Sequence, residues 1–148
     1  MSDASDAQNR MCLRLSCVPS NIAVARIAVA TFAAGQGFTV PDIEEIKVAV
    51  SEAVSNAVLY AYPAGGGITP AGVTISALSR GDELVVEVQD SGVGIPDVKK
   101  AREPGFTTAP GHMGLGLSFM ESFMDDLSLE SSPGKGTRVR MVKRRCTG

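Results

Sequence analysis

The sequence is poor in cysteine and histidine and contains no long hydrophobic run. Its three cysteines include no CxxC pair and it has a single histidine, which excludes a disulfide framework and gives no spacing typical of a metal site. The apolar stretch from Ile22 to Ala34 is shorter than the roughly 18–20 residues of a membrane span, and it contains Arg26. We therefore expect a reduced, cytoplasmic protein that does not enter a membrane.

The sequence also lacks a strong excess of charge of either sign. The formal net charge is −2 and the pI is about 5.4, which argues against the broad basic surface of a nucleic-acid-binding domain. We interpret the small basic cluster Lys143–Arg145 as the solvated end of a strand. The 148 residues, 44% of them hydrophobic and 20% charged, suit one globular domain. We expect a disordered tail at residues 1–10 and a single domain over residues 11–148.

Alternating apolar and polar residues predict five strands. In the first of them Leu13 and Leu15 fall on one face and Arg14 on the other, as in a half-buried strand. Short turns rich in glycine join the later strands into two hairpins. The predicted strands are residues 11–18, 72–80, 83–90, 126–132 and 136–144.

Three helices are predicted between these strands. The first has Ser20 as its N-cap and runs to about Ala34. The second begins near Thr39, where a proline and acidic residues suit the first helical turn, and continues to about Tyr60. The third spans about residues 115–124. Hairpins with helices between them indicate a two-layer α/β sandwich with a mixed, mostly antiparallel sheet and with helices on one of its faces.

The second helix contains a polar ridge among apolar residues. The run IKVAVSEAVSNAVLY, residues 46–60, holds Glu52 and Asn56 at a spacing of four, which puts both on one side of the helix. A carboxylate among apolar neighbours is costly unless it is paired or faces a polar cavity. The pair is therefore a candidate functional site, although Glu52 could also cap a backbone group or point to solvent.

Two glycine motifs flank the segment 91–113, which is too long for an ordinary connection and is typical of a functional loop. DSGVG at 90–94 ends a predicted strand, where Asp90 has a fixed direction and the glycines permit a close backbone approach. GHMGLG at 111–116 precedes a helix, whose free N–H groups suit an anion. Each motif alone also fits a turn. The chain has no GxxxxGK[ST], GxGxxG, HRD or DFG, which excludes a P-loop and an ordinary protein kinase.

Taken in order, these motifs resemble those of the GHKL ATPases, which include gyrase, Hsp90, MutL and the ATPase domains of sensor kinases. The order is E-x-x-x-N on a helix, D-x-G-x-G at a strand end, a loop, G-x-G at a helix start and GT on a late strand. The resemblance implies that Asn56 binds Mg²⁺ and that Asp90 hydrogen-bonds the adenine amino group of ATP or ADP. The nucleotide-binding residues that it implies are Asn56, Asp90, Gly92, Gly94, Thr107, Thr108, Gly111, Gly114, Leu115, Gly116 and Thr137.

Longer stretches are similar to the anti-sigma F factors of sporulating bacteria, and more distantly to the anti-sigma-B kinases. They are EIKVAVSEAVSNAVLYAY, GIPDVKKAREPGFTTAP and GLGLSFMESFMDDLSLESSPGKGT, and the similarity extends from about Val18 to Met141. The resemblance implies a homodimeric serine kinase that sequesters an RNA polymerase sigma factor and phosphorylates a STAS-type anti-anti-sigma protein. It makes Glu52 the general base. It also places Arg26 at the partner surface, where the alternative is a solvated helix arginine.

Other functions remain open at this point. A nucleotide-gated module could hold a sigma factor without transferring phosphate, and such a module would not need Glu52 as a base. An isolated ATPase part of a sensor kinase is disfavoured, because the chain begins with its own strand and helix and no phosphoacceptor helix precedes them. His112 lies in the glycine-rich loop, so we expect it to be a lid residue and not a phosphoacceptor.

Overall fold

The computed structural model describes residues 7–62, 72–94 and 113–146. Within these ranges the predicted strands at 72–80, 83–90, 126–132 and 136–144 are confirmed with the same bounds. The elements in chain order are β1 (Asn9–Ser16), α1 (Asn21–Gly35), α2 (Val40–Asn56), a π-helical turn (Ala57–Ala61), β2 (Gly72–Arg80), β3 (Glu83–Asp90), α3 (Met113–Phe123), β4 (Asp126–Ser132) and β5 (Gly136–Arg144).

The five strands form one open sheet in the order β1-β2-β3-β5-β4. Every pair of neighbouring strands is antiparallel, so the parallel pair that a mixed sheet would contain is absent from the described strands. The reason is that the β4–β5 hairpin places its second strand beside β3. The helices pack on one face of this sheet, with α2 between α1 and α3. The predicted two-layer α/β sandwich is confirmed.

The two faces of the sheet differ in polarity because side chains alternate along each strand. Ile75, Val88 and Val139 lie in one row of paired residues that faces the helices, and all three are buried. On the other face Glu87 pairs with Arg140, and it accepts a hydrogen bond of 3.0 Å from Arg138. The core therefore lies between the helices and one face of the sheet.

Helix α1 is apolar around most of its circumference. Ala25, Val29 and Ala33 are fully buried, whereas Val24 and Ile27 are 46% and 53% exposed. Ser20 occupies the predicted N-cap position, but its side chain makes no capping hydrogen bond. The cause is its helical backbone (φ −64°, ψ −18°), since a capping residue normally has an extended conformation.

Helix α2 begins as predicted, because the Thr39 side chain accepts a hydrogen bond of 3.3 Å from the Asp42 N–H. Val50 and Val54 on its inner side are fully buried. The prediction of a helix as far as about Tyr60 is confirmed, although its last turn, Ala57–Ala61, is π-helical. This change falls directly after Asn56.

Two predictions about the ends of the chain were wrong. Asn9 already pairs with Ser79, so β1 begins inside the predicted disordered tail. Lys143 is not solvated, because it lies on the helix-facing side of β5 and is only 8% exposed. Its Nζ donates to the carbonyl of Phe123 at 2.6 Å, at the carboxyl end of α3, where a cation is favourable.

None of the helices in the described ranges is long and apolar enough to cross a membrane.

Candidate functional site

A pocket lies between the inner side of α2, the start of α3 and one end of the sheet. The empty space in this open pocket is about 460 Å³, which includes space that is continuous with solvent. Its floor comes from strands β3, β4 and β5, and its walls come from the two helices and the π-helical turn. The lining residues are Ala53, Asn56, Ala57, Tyr60, Ala61, Val88, Asp90, Gly94, Leu117, Leu129, Thr137 and Val139.

Asp90 is the buried carboxylate of this pocket. It is the last residue of β3, faces the helices and is 8% exposed. Burial raises the pKa of Asp90, while backbone hydrogen bonds from Gly92 and Thr137 act in the opposite direction. Gly92 N–H donates to Asp90 Oδ1 at 2.9 Å. The carboxylate is thus oriented by the backbone, and it can accept a hydrogen bond from a ligand that enters the pocket.

The glycines after Asp90 allow two backbone segments to meet. A Cβ on Gly92 would overlap the carbonyl group of Ala61, and a Cβ on Gly94 would overlap that of Ser132. Gly94 also has a φ of +78°, a backbone conformation that residues other than glycine rarely adopt. The close approach expected from the DSGVG motif is therefore present, and the group approached is the protein's own backbone.

Thr137 lies beside Asp90 at the start of β5. The two residues are directly paired in the sheet, and the Thr137 and Ser131 hydroxyl oxygens lie 2.9 Å apart. This arrangement puts a hydroxyl pair on the pocket side of the β4–β5 hairpin. Sequence reasoning identified Thr137 through the GT motif but did not identify Ser131.

Glu52 and Asn56 meet the start of α3 at Gly116. A Cβ on Gly116 would lie 2.9 Å from Glu52 Oε2 and 3.6 Å from both terminal atoms of the Asn56 amide. Gly116 therefore leaves the space that the carboxylate uses. The two polar side chains of the predicted ridge are brought together with the second glycine of the predicted G-x-G, although these motifs are sixty residues apart in the chain.

The polar groups near Asn56 are compatible with a magnesium ion that arrives with a nucleotide. The described residues contain no group of three or more His, Cys, Asp or Glu side chains that could hold a metal by themselves. Mg²⁺ commonly keeps several waters and binds through one or two protein oxygens together with substrate phosphates. The Asn56 amide oxygen at the pocket wall could be such a ligand.

Some predicted site residues lie outside the described residues. Thr107, Thr108 and Gly111 belong to this group, as does His112. Gly114 and Leu115 are in the first turn of α3, where the backbone alone is described.

Arg26 does not line the pocket. It lies on α1, is partly buried, and donates from Nη1 to Ser51 Oγ on α2 at 3.3 Å. The bond ties the arginine to the residue next to Glu52. Arg26 is thus held against α2 and differs from the freely solvated side chain that was the alternative.

Sequence reasoning missed the apolar lining of the pocket. Ala53 of α2 and Ala57 and Tyr60 of the π-helical turn line the pocket together with Asn56. The signal that could have found the two alanines is their small size beside Asn56, because small residues leave room for a ligand. Leu129 on β4 and Leu117 on α3 carried no comparable signal, since nothing local separates them from other core leucines.

The fold and this pocket define the class of histidine kinase-like ATPase domains. The model of the family described as "Histidine kinase-like ATPase domain" matches residues 15–143, most of the chain. A crystal structure of the RsbU and RsbW domains of a Mycobacterium tuberculosis protein has a TM-score of 0.65 to this chain at 18% identity. It covers 93% of this chain, which spans 32% of the length of that protein, and it supports the fold alone.

Closer relatives are proteins named anti-sigma F factor. The one from Clostridium acetobutylicum is 42% identical over 139 residues, which cover 93% of this chain and 94% of the relative. The one from Thermoanaerobacter pseudethanolicus is 44% identical over 91% of this chain and 93% of the relative. The one from Bacillus subtilis is 39% identical over 92% of this chain and 92% of the relative. The chain therefore belongs to the anti-sigma F factor family.

Proposed function

We propose that the protein is an ATP-dependent serine kinase that sequesters an RNA polymerase sigma factor in the cytoplasm and phosphorylates a STAS-type anti-anti-sigma protein. The observation that carries the kinase part is the position of Glu52 beside Asn56 and Gly116. A carboxylate at this point can act as a base, whereas a module that only binds its partner needs none. The similarity to proteins named anti-sigma F factor supports the proposed binding of a sigma factor.

The proposed nucleotide lies along the pocket with its base at Asp90 and its phosphates toward α3. An ionised Asp90 suits the adenine amino group because it accepts hydrogen bonds and lies in an apolar, buried setting. The start of a helix with glycines suits phosphate oxygens. ATP and ADP share the adenine and the first two phosphates, so both are proposed ligands.

The proposed transfer moves the γ-phosphoryl group from ATP to a serine of the partner. The serine oxygen forms a bond to the γ-phosphorus while the bond from that phosphorus to the bridging oxygen of the β-phosphate breaks, and ADP leaves. The hydroxyl proton passes to the Glu52 carboxylate. Mg²⁺ held at Asn56 would offset the negative charge of the phosphates during this step.

Arg26 is the proposed partner contact, and the protein is proposed to act as a homodimer. Arg26 is the sole charged residue of α1, and the exposed Val24 and Ile27 lie on the same helix. An apolar surface with one cation suits a partner that offers apolar side chains around an acidic residue.

The test is transfer of labelled phosphate from Mg-ATP to the STAS-domain protein encoded beside this gene, with the purified chain and with Glu52→Gln. We expect acid-stable phosphoserine on the partner with the wild-type protein and a loss of at least a hundredfold in rate with Glu52→Gln, because the base contributes about 10²–10⁴-fold. Both proteins should bind ADP equally well.

Two outcomes would contradict the proposal in different ways. If the wild-type chain binds ATP and the partner but transfers no phosphate, the function is that of a nucleotide-gated sigma-factor-binding module. If Glu52→Gln transfers phosphate at the wild-type rate, the kinase assignment survives and Glu52 is not its base. Glu44→Gln is a matched control, because it changes an exposed glutamate of the same helix.

A further inference from the structure

Three successive backbone N–H groups after β3 make hydrogen bonds, and two of these bonds go to Ala61 and Tyr62 at the end of the π-helical turn. Ser91 N–H donates to the Tyr62 hydroxyl at 2.9 Å, and Val93 N–H donates to the Ala61 carbonyl at 2.8 Å. Between them, Gly92 N–H donates to Asp90 Oδ1 at 2.9 Å. Three successive N–H groups are therefore fixed, and the middle one orients the carboxylate of the pocket.

The Tyr62 hydroxyl also joins this segment to the neighbouring strand. It donates to the Gly72 carbonyl at 2.9 Å, and Gly72 precedes Val73, the residue paired with Asp90. Burial raises the pKa of Tyr62, so its hydroxyl keeps the proton that this bond requires. One oxygen atom thus accepts from the end of β3 and donates to the start of β2.

The π-helical turn brings Ala61 and Tyr62 to these positions. A π-helical ring contains one more residue than an α-helical ring, so the chain after Asn56 is rotated relative to a continued α-helix. The Ala61 carbonyl then comes so close to the backbone at residue 92 that only glycine fits there. The same turn follows the residue proposed to hold Mg²⁺, which links the two ends of the pocket through one element.

We propose that Tyr62 is a positioning residue for recognition of the nucleotide base. It does not line the pocket. It acts through Ser91 and Gly92, which set the direction of the Asp90 carboxylate, and so it determines how well the protein distinguishes adenine from guanine. The inference rests on the proposed nucleotide-binding function.

The chemistry of the two bases makes this discrimination sensitive to the direction of the carboxylate. Adenine presents an amino group at the position where guanine presents a carbonyl oxygen. A fixed carboxylate accepts a hydrogen bond from the amino group and repels the carbonyl oxygen. A carboxylate that can rotate away loses the hydrogen bond from the adenine amino group, and it repels the guanine carbonyl oxygen less. The loss of the Tyr62 hydroxyl should therefore weaken binding of adenine nucleotides more than that of guanine nucleotides.

The experiment measures dissociation constants of Mg-ADP and Mg-GDP for the full chain, for Tyr62→Phe and for Val29→Ala. Val29→Ala removes core volume from α1 away from the pocket and controls for a general loss of stability. We expect Tyr62→Phe to weaken ADP binding roughly three- to tenfold, the range for loss of one hydrogen bond, and to change GDP binding less. The ratio of the two constants is the diagnostic quantity, because a merely structural role would leave it unchanged.

Tyr62→Phe could lose as much stability as Val29→Ala and keep the wild-type ratio of the ADP and GDP dissociation constants. That result would overturn the positioning role alone. A wild-type chain that binds neither nucleotide would overturn the proposed function as well. If Tyr62→Phe does not fold, hydrogen exchange in the wild-type chain decides. The Ser91 and Val93 amides should be protected without nucleotide, and rapid exchange of both would overturn the inference.

Discussion

Asp90 combines two properties that normally oppose each other, because it is buried and must also carry charge to bind its proposed ligand. Burial in apolar surroundings favours the neutral acid, and the backbone N–H groups of Gly92 and Thr137 favour the carboxylate. The pKa of Asp90 is raised on balance, so the backbone hydrogen bonds offset only part of the cost of desolvating the carboxylate in the folded state. Such a cost is tolerated where the charged form has a function.

We predict that Asp90→Asn weakens ADP binding by about ten- to a hundredfold, because a hydrogen bond to a charged acceptor is lost. The control is Asp82→Asn, the same change at the exposed turn at the other end of the β2–β3 hairpin. Isothermal titration would measure both. Equal affinity of Asp90→Asn and the wild-type chain would remove Asp90 from nucleotide binding.

The raised pKa of Asp90 also predicts how binding and stability depend on pH. Adenine binding needs the ionised carboxylate, so ADP affinity should fall as pH decreases through the raised pKa, at a higher pH than for an ordinary aspartate of pKa 3.8. The contribution of Asp90 to the free energy of unfolding depends on pH in the opposite direction. The folded state binds its proton first, so this contribution rises as pH falls through the same range. Asp90→Asn should abolish both effects.

At the scale of the element, α3 is shaped by the helix that it faces. Gly116 lies inside α3, where glycine costs about 1 kcal/mol relative to alanine. The structure shows why glycine occupies the position, since a Cβ would lie 2.9 Å from Glu52 Oε2. Local helix stability is thus lower than it could be, and the space is used by the proposed base.

We predict that Gly116→Ala raises the melting temperature and lowers phosphate transfer. The helix gains up to about 1 kcal/mol from alanine, while the Glu52 carboxylate must move away from the new methyl group. The matched control is Gly35→Ala at the end of α1, where a Cβ meets nothing within 4 Å. A Gly116→Ala protein with the wild-type transfer rate would show that the position of Glu52 is not critical.

At the scale of the whole molecule, the nucleotide pocket and the proposed partner surface share α2. Arg26 contacts Ser51. The next residue, Glu52, belongs to the polar ridge that meets α3. A partner at α1 and a nucleotide in the pocket would therefore act on neighbouring residues of one helix. This arrangement is suited to coupling between partner binding and the state of the nucleotide.

We predict that Arg26→Ala weakens binding of the sigma factor at least tenfold, the effect expected for an arginine at the centre of an interface, without altering the homodimer. Light scattering should give twice the 15.4 kDa chain mass for the wild-type and variant chains. Arg144→Ala, on the sheet face away from the helices, is the control. A variant that binds the sigma factor normally would place the interface elsewhere, and a 15.4 kDa species would contradict the dimer.

The sequence by itself determined the layer architecture and most element bounds, because period-two alternation and glycine turns are local signals. It also indicated Glu52 and Asn56, since polar residues in an apolar run are visible without knowledge of their spatial neighbours. It indicated Asp90 through its glycine motif at the end of a predicted strand. The tertiary structure alone decided how these residues meet. The contact of Gly116 with Glu52, the burial of Lys143 and the bond from Ser91 to Tyr62 join residues that are 20 or more positions apart. The π-helical turn belongs to the same group, because the Ala61 carbonyl at its end accepts a hydrogen bond of 2.8 Å from Val93, a residue distant in the chain.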